Sequence, residues 1–134
     1  MEGGALSNFN SNINLGGEII RKNKIKNKYN IYGTNIDNLI LNKILKVPNY
    51  IKIDVDGIEY LILKGAKNLL KNNNLKELSI EMNPSYLKQY ELINRFMKEN
   101  NFKQTVSTNK RLLNDKNYKL ELNECVNVIF KRND

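Results

Sequence analysis

The sequence predicts an α/β fold, part of an open, doubly wound sheet in which parallel strands are joined by crossover helices and the last two strands pair antiparallel. Three observations carry this. From residue 50 onward, segments of strand character alternate with segments of helical period in the order strand, helix, strand, helix. Two strand-like segments, 102–107 and 124–132, then follow with no helix between them, which calls for an antiparallel pair. Finally, 134 residues suffice for one layered core and leave no room for a second.

Taken in order, residues 1–27 hold two Gly-Gly pairs, many asparagines and few consecutive apolar residues, so they are expected to be irregular and to precede a domain over 28–134. "KYNIYG", 28–33, has the composition of a short strand closed by Gly33. Asn35 can cap a helix over about 36–46, with Ile36, Leu39, Ile40, Ile44 and Leu45 near the helical period and Pro48 as its stop. "YIKIDV" is a strand bounded by Pro48-Asn49 and Gly57. A helix over 58–70 follows, its apolar face written by Ile58, Leu61, Ile62, Gly65, Ala66, Leu69 and Leu70, with the two small residues allowing close approach to a sheet. "LKELSIEM", 75–82, alternates Leu78, Ile80 and Met82 with Glu77, Ser79 and Glu81, the mark of a strand. Asn83-Pro84 reads as an N-cap and first-turn proline opening a helix to about Asn100 that buries Leu87, Tyr90, Ile93, Phe96 and Met97.

Composition narrows the function classes. With one cysteine, Cys125, and no histidine, neither an intrachain disulfide nor a Cys/His zinc site can form. No stretch approaches a membrane span and the N-terminus lacks the pattern of a signal peptide, so a cytoplasmic protein with no membrane partner is expected. The formal charge of +8 comes from 18 lysines and only four arginines, accompanied by 25 asparagines. That mixture marks solvated surface rather than the Arg forks and stacked aromatics of nucleic-acid recognition, and nucleic acid is not expected as a partner.

The chemistry is concentrated in "IDVDGIE", 53–59. Ligands of open α/β sheets bind beyond the carboxyl ends of the parallel strands, where Asp54 and Asp56 stand two apart on an extended backbone and so share a face. Gly57 permits a tight turn, and Glu59 falls in the first helical turn, where a carboxylate also meets the positive dipole end. Glu81, near the end of the next strand and followed by Asn83, is expected at the same rim. A charge that interrupts an apolar strand, as Asp54 does, calls for a polar cleft, a cation or a hydrogen-bonding network. An acidic rim suits a hydroxyl-rich or positively charged ligand, or a divalent metal; whether a metal is used is left open by these residues.

"IDVDG" resembles the nucleophile loop of haloacid-dehalogenase-like phosphatases, but Ile58 stands where that loop has Thr or Val and no later Asp-Asp pair follows. The fuller resemblance is to the FkbM family of S-adenosylmethionine-dependent methyltransferases. It is carried by "IKIDVDGIEYLILKGAKNLL", by "TNIDNLI" upstream and by "LSIEMN" downstream, over about residues 30–105. The matching residues include Thr34, Asp37, Lys52, Asp54, Asp56, Gly57, Glu59, Gly65, Ala66 and Glu81.

That resemblance implies a partial Rossmann-like methyltransferase fold and transfer of a methyl group from S-adenosylmethionine, with a sugar or small-metabolite hydroxyl as the expected acceptor. Asp54 and Asp56 would be catalytic. Asp54, Val55 and Gly57 would touch the cofactor, and Glu59, Glu81 and Asn83 the acceptor. The glycine-rich cofactor loop that such a fold needs has no counterpart, since Gly3-Gly4 and Gly16-Gly17 follow no apolar strand and no GxGxxG spacing occurs. The chain is therefore expected to represent the C-terminal half of the domain, to need another chain for the rest, and to self-associate through exposed strand faces. The alternative is a non-catalytic interaction or nucleic-acid-binding module built on the same fragment.

Overall fold

The computed structural model describes residues 21, 32–55, 57–107 and 125–133. Their elements in order are α1 (Ile36–Leu41), β1 (Tyr50–Ile53), α2 (Glu59–Lys64), a 3-10 helix (Leu69–Lys71), β2 (Glu77–Met82), α3 (Leu87–Glu99), β3 (Phe102–Ser107) and β4 (Val126–Arg132). The strands form one sheet in the order β1-β2-β4-β3. β1 and β2 are parallel, with Ile53 opposite Ile80. β4 runs antiparallel to both β2 and β3. The α3 crossover thus carries the chain one position past its neighbour, and β4 returns to fill the gap, which yields the antiparallel pair expected from two successive strands.

Period-two alternation decides which face is buried. Leu78, Ile80 and Met82 of β2 and Val126, Val128 and Phe130 of β4 are each at most 2% exposed, while the residues between them are partly open. α2 and α3 cover this core. Ile93 and Met97 of α3 and Leu63 of α2 are fully buried, and Tyr60 meets Phe96 edge to face with ring centroids 5.5 Å apart. Right-handed crossovers that step in the same direction put both helices on one face of the sheet. A doubly wound sheet carries helices on both faces, and these described helices cover only one. Among the described residues no helix is long and apolar enough to cross a membrane.

Several elements differ from the sequence expectation. α1 stops at Leu41, not near residue 46. Asn42 caps it by donating its backbone and side-chain N–H groups to Asn38 O, and Lys43 turns left-handed at φ 58°. Ile44 and Leu45 are consequently exposed. Of the proposed strand at 28–33, residues 28–31 lie outside the described residues, as do 1–20 and 22–27 of the irregular segment, and Tyr32 and Gly33 have no strand pairing. α3 opens at Leu87 because Asn83 Oδ1 accepts from Ser85 N at 2.9 Å, a side-chain turn that competes with helix initiation. Leu87 is 64% exposed rather than buried.

The segment expected as a single helix over 58–70 is two pieces. α2 ends at Lys64 with Gly65 as its C-cap, and a new 3-10 turn begins at Leu69. Asp37 makes the break. Its two carboxylate oxygens accept from Asn68 N at 2.8 Å and Leu69 N at 2.9 Å, so α1 caps the start of the second piece. The small residue at 65 accommodates α1, not the sheet: a Cβ there would stand 2.8 Å from Asn35 Cβ. Gly65→Ala is therefore expected to destabilise the fold by about 1–2 kcal/mol in urea unfolding, overpacking outweighing the better helix propensity of alanine. A stability gain would show that α1 yields freely.

Candidate functional site

The parallel register sets the site. Ile53 pairs with Ile80, so Asp54 and Glu81 are the next residues at the carboxyl ends of their strands and, by alternation, share the sheet face opposite α2 and α3. Lys52 is on that face too. Its Nζ lies 2.6 Å from Asp54 Oδ2. The charge that interrupts the apolar strand is thus answered by a lysine two residues earlier.

These three side chains titrate as a group. The hydrogen bond from Lys52 holds the Asp54 carboxyl below its ordinary value, and the same bond raises Lys52. Glu81 is pushed up, first by burial and then by the Asp54 charge. The two carboxyls influence each other in opposite senses, Asp54 being lowered and Glu81 raised by the pairing. Of the two carboxyls, Glu81 is the one whose proton affinity is raised and Asp54 the one whose is lowered. Two carboxyls whose surroundings push their proton affinities apart are equipped for separate proton-holding and charge-holding roles.

Glu59 lies elsewhere. Of the expected apolar face, Ala66, Leu69 and Leu70 are buried and Ile62 packs against the core, but Leu61 is 47% exposed, and Glu59 and Leu63 of α2 turn inward. Glu59 is only 3% exposed. Its Oε1 accepts from Gly57 N at 3.1 Å and its Oε2 from Gln89 Nε2 at 2.6 Å. Burial raises its proton affinity, while hydrogen bonds from the backbone of Glu59, Gly57 and Val55 and from Gln89 pull the other way. Gly57 has φ 91°, a conformation that suits glycine, and Val55 O closes the turn by accepting from Ile58 N.

Of the residues expected at the rim, Asp54 and Glu81 come together, with Val55 and Gly57 in the loop beside them. Glu59 sits beneath that loop, and Asn83 uses its side-chain oxygen in the turn before α3. Asp56 lies outside the described residues. Gln89 and the pairing role of Lys52 were not anticipated. The signal for Gln89 was a polar residue one helical turn before Ile93 and two before Met97, on the apolar face of α3. Among the described residues no group of three or more His, Cys, Asp or Glu side chains is placed to hold a metal ion.

An open cleft of about 540 Å³, lined by Tyr50, Lys76, Glu77, Lys131 and Arg132 among others, lies at the opposite end of the strands. Two of its cations are engaged. Lys131 pairs with Glu77 at 3.3 Å, and Arg132 donates to backbone carbonyls.

Comparison with known proteins adds one positive finding. No curated protein and no solved structure matches the chain. The family described as the methyltransferase FkbM domain matches residues 4–104, most of the 134-residue sequence, and that span contains α1 through α3, the Asp54/Glu81 rim and the loop that joins them. The chain therefore belongs to the FkbM methyltransferase domain family.

Proposed function

We propose that this methyltransferase domain uses S-adenosylmethionine to methylate a hydroxyl of a sugar or small metabolite, with the rim formed by Asp54 and Glu81 at the reacting end. The observation that carries this is the Lys52–Asp54–Glu81 group at the carboxyl ends of two parallel strands, the place where open α/β sheets take ligands. Bound there, S-adenosylmethionine would supply a methyl group activated by a sulfonium. The donor set suits that positive centre, because Asp54 stays ionised beside a single lysine, and Asp54, Val55 and Gly57 are the residues that would hold it.

The chain's own part is alignment and proton handling. Asp54, kept as carboxylate by Lys52, accepts a hydrogen bond from the acceptor O–H and fixes the direction of its lone pair. Glu81, with its raised proton affinity, is the better site for the proton that the hydroxyl releases. A rim of two carboxylates and one ammonium matches vicinal hydroxyls, which donate to carboxylates, and rejects a free phosphate. Glu59 supports the loop from beneath. Asp56 keeps its proposed catalytic role by sequence position alone. The glycine-rich cofactor loop, which has no counterpart in these residues, is in this proposal supplied by a further polypeptide segment.

Isothermal titration and transfer of labelled methyl groups to a panel of sugars test the proposal, using the protein together with a segment that bears the glycine-rich loop. Saturable cofactor binding and label on an acceptor oxygen are expected. Absence of both, with tight salt-sensitive binding to RNA in their place, would replace the enzyme by a nucleic-acid-binding module.

A further inference from the structure

We infer that Gln89, on the buried face of α3, is a positioning residue that holds the 54–58 loop in place by its hydrogen bond to the Glu59 carboxylate. Within the loop, Val55 packs against the core and its carbonyl accepts from Ile58 N. Gly57 is left-handed, and such a residue returns readily to other conformations unless something over-determines it. The Glu59 carboxylate is what gathers it. One oxygen takes the Gly57 N–H at 3.1 Å, and the second takes Gln89 Nε2 at 2.6 Å.

A carboxylate this enclosed is tolerated only with its acceptors filled. Gln89 supplies the one side-chain donor seen at Glu59 among the described residues, and it comes from a different element, thirty residues away in sequence. Without it the carboxylate would turn toward water and release Gly57. α3 is itself anchored through Ile93 and Met97, both fully buried. The bond to Gln89 therefore ties the loop to the core. The charged groups on neighbouring elements are Glu81 on β2, which senses the Glu59 charge, Asp54 and Lys52 at the same strand ends, and Lys88 and Glu91, exposed on α3. None of these donates to Glu59 in the bonds described.

The inference rests on the methyltransferase reading only for the loop's purpose, so its test is independent of activity. Amide hydrogen exchange by NMR is compared for wild type, Gln89→Met and Gln89→Glu, after correction for the intrinsic dependence of exchange on pH. Met fills the same space without a donor, and Gly57 N–H is expected to exchange about tenfold faster or more, the effect of losing one hydrogen bond to a charged group. Ile80 and Val128 N–H in the sheet should not change. In Gln89→Glu the facing carboxyls repel when both are ionised and share a proton in mild acid, so Gly57 should be loosened at neutral pH and protected again in acid. Unchanged Gly57 exchange in Gln89→Met, or equal acceleration at all three amides, would overturn the inference, as would Gln89→Glu behaving alike at both pH values. A protein showing the expected exchange pattern but transferring no methyl group would instead refute the proposed function and leave Gln89 as the loop's anchor.

Discussion

Asp54→Asn is expected to lower the rate of methyl transfer by roughly a hundredfold or more, the range lost when a nucleophile is no longer held in line, while urea unfolding stays close to wild type. The contrast follows from where Asp54 stands. Its side chain is 43% exposed and its lysine partner 59% exposed, and exposed ion pairs contribute little to stability. Asparagine keeps the shape but loses the charge that accepts from Lys52 and that raises Glu81. Glu81 should accordingly titrate at lower pH in the variant, a change that carboxyl NMR can follow. The signs are opposite for the two acids. Asp54, lowered in the folded state, adds stability above its unfolded pKa that is lost as pH falls through its folded value. Glu81, raised in the folded state, costs stability once it ionises. Loss of rate matched by an equal loss of stability in Asp54→Asn would make Asp54 a structural residue.

Arg132→Met is expected to give a large stability loss, about 2–4 kcal/mol by urea unfolding, through hydrogen bonds to a charged group and a cation–π contact. The guanidinium at the end of β4 gathers the segment that follows α2. Nε donates to Leu75 O at 2.8 Å, and Nη2 to Leu70 O at 3.0 Å and Asn72 O at 2.8 Å. The same group stacks over Phe102 with Cζ 4.5 Å from the ring centroid. Methionine preserves much of the packing but leaves these carbonyls without their donor. Arg132→Lys should recover less than half of the loss, because an ammonium lacks the planar fork that serves several acceptors at once. Full recovery with lysine would mean that charge alone, and not the fork, holds the segment.

Parts of this protein were legible before any coordinates, for identifiable reasons. The strands at 50–53, 77–82, 102–107 and 126–132 carry period-two alternation or unbroken β-branched runs, and these local signals survived folding within a few residues. The parallel start and antiparallel end followed from whether a helix lies between successive strands. Asp54 and Glu81 were expected at one rim because alternation and parallel pairing leave their side chains few other places, and the register agrees.

Helix boundaries were less legible, since they depend on long-range partners. Asn35 and Asp37 divide the 58–70 segment by packing against Gly65 and capping Leu69, contacts that no local window contains. The burial of Glu59 and the exposure of Leu61 on α2 are likewise decided by what faces the helix.

The sequence by itself determined the order of the elements, the alternation that builds the core, the acids at the strand ends and the family resemblance, all of which rest on residues close together in the chain. Only the tertiary structure decided that Lys52 answers Asp54, that Glu59 lies beneath the loop with Gln89 as its partner, and that Arg132 closes the far end of the sheet. Hydrogen-bond donors and charges are assigned in three dimensions, because a buried carboxylate or carbonyl takes whichever donor the fold brings within reach.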